Sequence, residues 1–185
     1  MLDAIKKHAG GFTLVETMMV VALIAIVTAI AIPAWQSMKR NSDLKSAAYE
    51  IMSSVQWAKS EAARRNACVG INFIPAACPT GQSNCYELFG DDNCNRVVDG
   101  AEQNLRAGSL GSKARMTTTF PNNAIAITPR SLLRTGGVLP NGHVSLRPLS
   151  GSDLCYNLAI SASAGLRLNT GHWVDEPGAG QANCQ

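Results

Sequence analysis

Six oxygen donors between Asp91 and Glu102 have the spacing of a calcium-binding loop. They fall at positions 1, 3, 5, 7, 9 and 12 of a twelve-residue loop and are Asp91, Asn93, Asn95, the main-chain carbonyl of Val97, Asp99 and Glu102. Two residues argue against an ion: Arg96 stands at position 6, where such loops have glycine, and Cys94 is a candidate for a disulfide. The competing interpretation is a turn rich in Asn and Asp. A bound Ca²⁺ would be structural, and no cofactor is required.

Six cysteines are a second group with potential chemistry. They are Cys68, Cys78, Cys85, Cys94, Cys155 and Cys184. An even number of cysteines is typical of disulfides in a domain outside the cytoplasm, and the absence of a C-x-x-C pair argues against zinc. All fifteen pairings remain open, because the sequence does not choose among them.

Catalytic and nucleotide-binding motifs are missing from the sequence. His143 and His172 are isolated, and neither G-x-x-x-x-G-K nor G-x-G-x-x-G occurs. We therefore expect a protein without enzymatic activity.

The charge balance gives little support to nucleic acid as the default partner. The net charge is +3, from 16 Lys and Arg against 13 Asp and Glu. Six basic residues in the C-terminal part could nevertheless contact DNA phosphates. They are Lys113, Arg115, Arg130, Arg134, Arg147 and Arg167.

An apolar run near the N-terminus indicates a membrane-spanning helix. It covers residues 14–35, interrupted by two threonines, Glu16 and Pro33. At about 1.5 Å per residue its length is about 33 Å, enough for a bilayer core of about 30 Å. Lys6 and Lys7 precede the run, which places the N-terminus in the cytoplasm and the chain after residue 36 beyond the inner membrane.

Glu16 is an unusual residue in this run, because a carboxylate at the centre of a membrane helix raises the free energy of membrane insertion by about 2.5–3.5 kcal/mol. Cleavage after Gly11 would expose an α-amino group on Phe12, one helical turn from Glu16. We expect such an amine to pair with the Glu16 carboxylate of a neighbouring subunit.

The helical period continues past the apolar run to about Asn66. One apolar stripe comprises Leu44, Ala47, Ala48, Ile51, Met52, Val55, Ala58 and Ala62.

Short strands separated by turn residues follow the helix, at residues 68–74, 86–89, 114–120, 124–128, 142–147, 153–160 and 166–168. We predict an α+β fold in which the long helix packs on an antiparallel sheet. Hydrophobic residues make up 46% of the chain and charged ones 16%, which excludes wholesale disorder. The predicted core includes Val144, Leu146, Leu158 and Ile160.

The run KKHAGGFTLVE at residues 6–16, followed by apolar residues, resembles the processing site of type IV pilins and type II secretion pseudopilins. The resemblance implies that a prepilin peptidase cuts between Gly11 and Phe12, that Phe12 is N-methylated, and that Glu16 guides assembly into a helical filament of pilins. It also implies a helix kink at Pro33. The partners would include an assembly platform in the inner membrane. The subunit would later reside in a pseudopilus, or in a pilus at the cell surface. The chain then divides into a leader (1–11), a membrane and filament-core helix (12–35), an amphipathic continuation (36–66) and a β-rich head (67–185).

The run AKSEAARRN at residues 58–66 is similar to the end of the helix in FimT- and GspH-type minor pilins and pseudopilins, with Lys59 in place of the usual arginine. The resemblance implies a type IV pilus minor subunit, which could prime assembly at the tip, or a type II secretion pseudopilin H. Some relatives bind DNA during natural transformation through a G-R-x-R loop. The matching segment here, AGLRL at residues 164–168, keeps Arg167 and lacks the first arginine.

Overall fold

The N-terminal helix is the longest element of the fold. The computed structural model describes residues 11–75, 78, 84–100, 102–134, 141–149, 154–174 and 183–184. Helix α1 spans Leu14–Arg65, and Asn66 follows with a φ of 54°, the left-handed conformation in which many helices end. The chain forms two compact units, Met1–Met38 and Lys39–Gln185, and the helix supplies residues to both.

The strands after α1 form two antiparallel sheets in the described part of the chain. The first sheet has the order β3-β2-β1-β5-β6, with β1 Cys68–Asn72, β2 Cys85–Asp91, β3 Asn104–Ser109, β5 Ala124–Ile127 and β6 Leu133–Arg134. The second has the order β10-β9-β8-β7-β4, with β4 Arg115–Thr118, β7 Gly142–Arg147, β8 Leu154–Ile160, β9 Leu166–Val174 and β10 Asn183–Cys184.

The predicted α+β class is confirmed, with a long helix on antiparallel sheets. The structure has two sheets where the sequence indicates one, because the chain changes sheets between β3 and β4, between β4 and β5, and between β6 and β7. The second of these crossings contains a 3₁₀ turn, Pro121–Asn123. Each predicted strand has a counterpart, although residue 153 lies outside the described residues. Strands β3, β6 and β10 were not predicted: β3 is an exposed edge strand without apolar alternation, and the other two have two residues each.

The core of the head lies between the helix stripe and both sheets. Seven of the eight predicted stripe residues are buried, and Met52 is half-buried. The four predicted core residues of the second sheet are also buried: Val144, Leu146, Leu158 and Ile160. Four of the buried stripe residues are alanines, which let the helix backbone approach the sheets closely.

A buried hydroxyl links the helix to the first sheet. Ser54 Oγ donates to the Tyr86 hydroxyl at 3.1 Å, and this hydroxyl donates to Glu50 Oε1 at 3.1 Å. Lys113 Nζ lies 3.7 Å from the other Glu50 oxygen, Oε2. Because burial raises the pKa of Tyr86 above its ordinary value, the hydroxyl keeps its proton for these contacts.

Two aromatic rings lie directly over glycines of neighbouring strands in the first sheet. Phe89 is the cross-strand partner of Gly70, and Tyr86 is that of Gly108. A Cβ built on either glycine would come within 2.3 Å of a ring atom. Only glycine therefore leaves room for the ring at these two positions.

We expect Gly70→Ala to destabilise the head by about 1–3 kcal/mol, because the new methyl group must displace the buried Phe89 ring. Denaturant unfolding of residues 39–185 measures the change. Gly100→Ala is the matched control, since a Cβ there meets nothing within 4 Å. Equal stabilities of the two variants would contradict this account of the ring contact.

Candidate functional site

The start of α1 has a hydrogen-bonded cap that involves Glu16. Thr13 precedes the helix, and its Oγ1 accepts a hydrogen bond from the Glu16 backbone N–H at 3.2 Å. Thr13 and Glu16 have the T-x-x-E spacing of a capping box, in which a hydroxyl satisfies an otherwise unpaired N–H of the first turn. This cap was not among the predicted features, although the T-x-x-E pattern is its sequence signal.

The three residues predicted to act in processing and assembly are exposed. Phe12 is 81% exposed, and Gly11 and Glu16 are exposed as well. No described residue forms an ion pair with Glu16. The carboxylate is thus available to a charge on another molecule.

The first part of α1 presents its apolar side chains without cover. Every residue from 14 to 39 is exposed, and an 18-residue window of the helix has a mean hydropathy of 2.5. Such a helix is long and apolar enough to cross a membrane. The helix continues through Pro33, which has no N–H to donate to the carbonyl of the preceding turn.

The segment 91–102, called the acidic loop below, is organised around the buried carboxylate of Asp91. Its Oδ1 accepts a hydrogen bond from the Asn95 N–H and its Oδ2 one from the Arg96 N–H, both at 2.8 Å. Burial raises the pKa of Asp91 above its usual value, and these backbone donors oppose the rise. Arg96 has a φ of 70°, so it adopts the left-handed conformation for which calcium loops use glycine.

The other predicted calcium ligands mainly bond to one another. Asn93 Nδ2 and Asn95 Nδ2 each donate to Asp99 Oδ2 at 2.9 Å, and Glu102 Oε2 accepts from the Asp99 N–H at 3.0 Å. Asn95 Oδ1 accepts from the Val97 N–H. A cation would require the two amides to turn their oxygens towards Asp99. Within the described ranges, no three His, Cys, Asp or Glu side chains converge as a metal-binding group. Calcium binding here stays a prediction.

All six cysteines are paired. The disulfides are Cys68–Cys94, Cys78–Cys85 and Cys155–Cys184. The first ties the acidic loop to the start of β1, and the third ties β10 to β8.

Residues 58–66 contain a compact ion cluster and a link to the second sheet. Arg64 donates to both oxygens of Glu61 at 2.8 and 2.6 Å, and Arg65 Nε donates to Oε1 at 2.5 Å. These hydrogen bonds and charges hold the pKa of Glu61 at about 2, below the usual value of 4.5. Lys59 Nζ donates to the Ala164 carbonyl at 2.9 Å, in the turn between β8 and β9. The two segments singled out in the sequence, 58–66 and 164–168, are therefore in direct contact.

The six candidate DNA-contacting residues lie on different elements. Lys113 lies near Glu50, and Arg115 of β4 is the cross-strand partner of Arg147 of β7. The other three are exposed, in the β5–β6 turn, in β6 and in β9: Arg130, Arg134 and Arg167.

Two family models match the chain. The model described as type II transport protein GspH matches residues 47–164, and the prokaryotic N-terminal methylation motif matches residues 6–32. No curated protein matches the chain.

The fold is similar to crystal structures of the type IV minor pilin FimU of Pseudomonas aeruginosa strain PAO1. In a hexagonal crystal form the TM-score is 0.50 at 19% sequence identity, covering 76% of this chain and 97% of FimU. In a monoclinic form it is 0.51 at 19% identity, covering 77% and 94%. At this identity the likeness shows a shared pilin-like fold.

We expect the low pKa of Glu61 to make the head less stable in acid. Below about pH 4.5 the unfolded chain takes up a proton on Glu61 that the folded head resists, so stability falls as the pH decreases towards about 2. Thermal unfolding of residues 39–185 between these pH values measures the slope. Glu61→Gln should flatten it, whereas Glu102→Gln, the matched control, should leave it nearly unchanged.

Proposed function

The chain belongs to the GspH family of type II transport proteins, and from that premise we propose that it is a minor subunit of a type IV pilus, of the FimT and FimU kind. Family members are minor pilins or pseudopilins that are processed at the N-methylation motif. They are structural subunits, so the expectation of a protein without enzymatic activity is confirmed.

The observation that carries the proposal is the uncovered first part of α1. Its apolar side chains require lipid or other helices, whereas the Glu16 carboxylate, which has no ion-pair partner among the described residues, requires a positive charge on another subunit. The subunit is stored in the inner membrane, with its N-terminus in the cytoplasm and its head outside, and then moves into the filament. Its partners there are other pilins and the inner-membrane assembly platform.

Assembly follows from charge pairing. Prepilin peptidase cuts between Gly11 and Phe12, which leaves 174 of the 185 residues. The new amine of Phe12 pairs with Glu16 of a neighbouring subunit, because two opposite charges removed from water require each other. Helices from position 12 to 35 then bundle as the filament core. At the filament tip, such a subunit primes polymerisation.

Pro33 and the run at 58–66 favour the pilus. The alternative is a type II secretion pseudopilin H, which the family description supports and which uses the same assembly chemistry. Neighbouring genes for pilus assembly or for secretion distinguish the two.

A DNA receptor for natural transformation is a further alternative. Arg134 and Arg167 are exposed and have no ion-pair partner among the described residues. The loss of the first arginine of the G-R-x-R loop weakens this alternative. DNA binding by these side chains would decrease steeply with salt, since phosphate contacts release counterions.

We expect the Glu16→Gln variant to be cleaved normally but to be strongly depleted from sheared filaments. The substitution removes the carboxylate charge, whereas the backbone N–H of residue 16 still donates to Thr13 and keeps the helix cap. Immunoblots of the sheared and membrane fractions measure both effects.

Two further variants separate processing, capping and charge. Thr13→Ala removes the cap and keeps the carboxylate, so it should assemble better than Glu16→Gln. Replacing Gly11 with isoleucine should leave the 11-residue leader attached. Normal incorporation of Glu16→Gln would contradict the charge-pairing mechanism.

A further inference from the structure

A small pocket lies beside the first turns of α1 within the unit Lys39–Gln185. It is lined by Arg40 and Asp43 of α1, Ser112 and Lys113 before β4, and Pro148 and Leu149 after β7. Its volume is about 80 Å³, enough for one small polar group. Asp43 directly precedes Leu44, the first buried residue of α1, so the pocket lies where the core of the head begins.

The pocket contains charges of both signs. Arg40 takes part in no ion pair of the described residues, and its Nε is buried without a hydrogen-bond acceptor there. A buried N–H without an acceptor lowers stability unless another molecule supplies one. Lys113 Nζ lies 3.7 Å from Glu50 Oε2, but its side chain is 42% exposed and can still reach a ligand. Asp43 adds a carboxylate to the same lining, so the pocket is complementary to a group that carries both charges.

The pocket lies close to the depth of phospholipid headgroups when the subunit is stored in the membrane as proposed. Arg40 follows Trp35, the last residue of the apolar run, by five residues in the same helix, which is about 7.5 Å at 1.5 Å per residue. Tryptophan is typical of the interface between lipid and water. The polar layer of a bilayer is about 5–7.5 Å thick on each side of the hydrocarbon core. A headgroup is therefore the nearest external group with the required charges.

We propose that the pocket binds the headgroup of a phospholipid with a phosphate and a primary ammonium, as in phosphatidylethanolamine. The phosphate accepts hydrogen bonds from Arg40 and Lys113, and the ammonium donates to Asp43. Leu149, which is 46% exposed, contacts the apolar end of the lipid next to the glycerol. The proposal rests on the proposed function, because it requires a subunit stored in the inner membrane.

Other anions match the pocket less well than this headgroup. Free phosphate, phosphatidylglycerol or an acidic side chain of a neighbouring pilin would satisfy the two cations and leave Asp43 facing a like charge. Phosphatidylcholine has a cation, but its quaternary ammonium has no N–H to donate to the carboxylate. A phosphate with a primary ammonium satisfies all three charged residues of the lining.

Photo-crosslinking of the full chain in its producing cells is the first test. Leu149 is replaced with p-benzoylphenylalanine, and the same replacement at Leu132 is the control. We expect adducts from position 149 with the mass of an ethanolamine phospholipid, and severalfold fewer from position 132. Absence of a lipid adduct at position 149, equal yields at the two positions, or an adduct there mainly with another protein overturns the proposal.

Leu132 is a matched control because it lies at the other end of the head and is 39% exposed. Lys59 Nζ donates to the Ala164 carbonyl in the β8–β9 turn. Lys59 follows Arg40 by 19 residues, which is about 28 Å along the helix. The N–H of Leu133 donates to the same turn, so the adjoining β5–β6 turn is also far from the pocket.

Nanodiscs of defined composition test which headgroup is bound. The full chain with the photoreactive residue at position 149 is placed in phosphatidylcholine alone, or in phosphatidylcholine mixed with phosphatidylethanolamine or with phosphatidylglycerol. We expect the ethanolamine lipid to be labelled severalfold more than either other lipid. Equal labelling, or a preference for another lipid, overturns the proposal. Loss of the adduct on addition of inorganic phosphate would assign the pocket to free phosphate and also overturn it.

Two substitutions test the two charges of the headgroup separately. Arg40→Gln should decrease labelling of the ethanolamine lipid severalfold, because it removes a charged donor to the phosphate. Asp43→Asn should remove the preference for the ethanolamine lipid over phosphatidylglycerol, because the like charge that disfavours the anionic lipid is gone. Neither residue takes part in an ion pair of the described residues. Arg130→Gln, in the β5–β6 turn, is the control and should change neither result. An unchanged preference in Asp43→Asn, or unchanged labelling in Arg40→Gln, overturns the proposal.

The sheared filament fraction of the same cells separates this inference from the proposed function. A chain that enters filaments without lipid labelling at position 149 in the membrane fraction contradicts the headgroup site alone. A chain that is absent from filaments contradicts the proposed function, whatever the lipid labelling shows.

Discussion

One carboxylate in an uncovered apolar helix constrains the rest of this protein. Glu16 lies in the first turn of a helix whose side chains are all exposed as far as residue 39. Neither water nor lipid alone suits this combination, because water exposes the apolar side chains and lipid does not solvate the carboxylate. A bundle of like helices, each bringing an amine to a neighbour's carboxylate, satisfies both. This conflict between the apolar helix and its carboxylate supports the proposed assembly into a filament.

The two parts of α1 meet this requirement with different residues. Before residue 39 the exposed side chains are mostly bulky valine, isoleucine, leucine and methionine, which suit lipid or a helix bundle. Between Leu44 and Ala62 four of the nine buried positions are alanine, so the backbone lies close to the sheets there and larger side chains from the strands fill the core. One continuous helix thus changes its surroundings through side-chain composition, and Pro33 interrupts its backbone hydrogen bonds at one position only.

The features that sequence predicts well here are those encoded locally. The helix stripe and the strands with buried alternation follow from periodicity, and the structure contains both. The processing run was identified by its resemblance to a family motif, and the N-terminal methylation model matches the same residues. Disulfide pairing was open because it depends on which loops the fold brings together. Strand β3 lies on a sheet edge with little buried apolar surface, so its residues carry no alternation to detect. The contact of Lys59 with Ala164 joins residues 105 positions apart and has no local signal.

Several contacts tie the acidic loop to the end of the helix. Its Cys94 is bonded to Cys68, three residues after the end of α1, and Asp91 accepts two backbone N–H groups from within the loop. Arg65 at the helix end is held by Glu61 and lies close to Gly90, the residue before the loop. Covalent, ionic and backbone contacts therefore all relate the loop to the last turn of the helix. A calcium ion would add stiffness to a loop that the disulfide and Asp91 already hold.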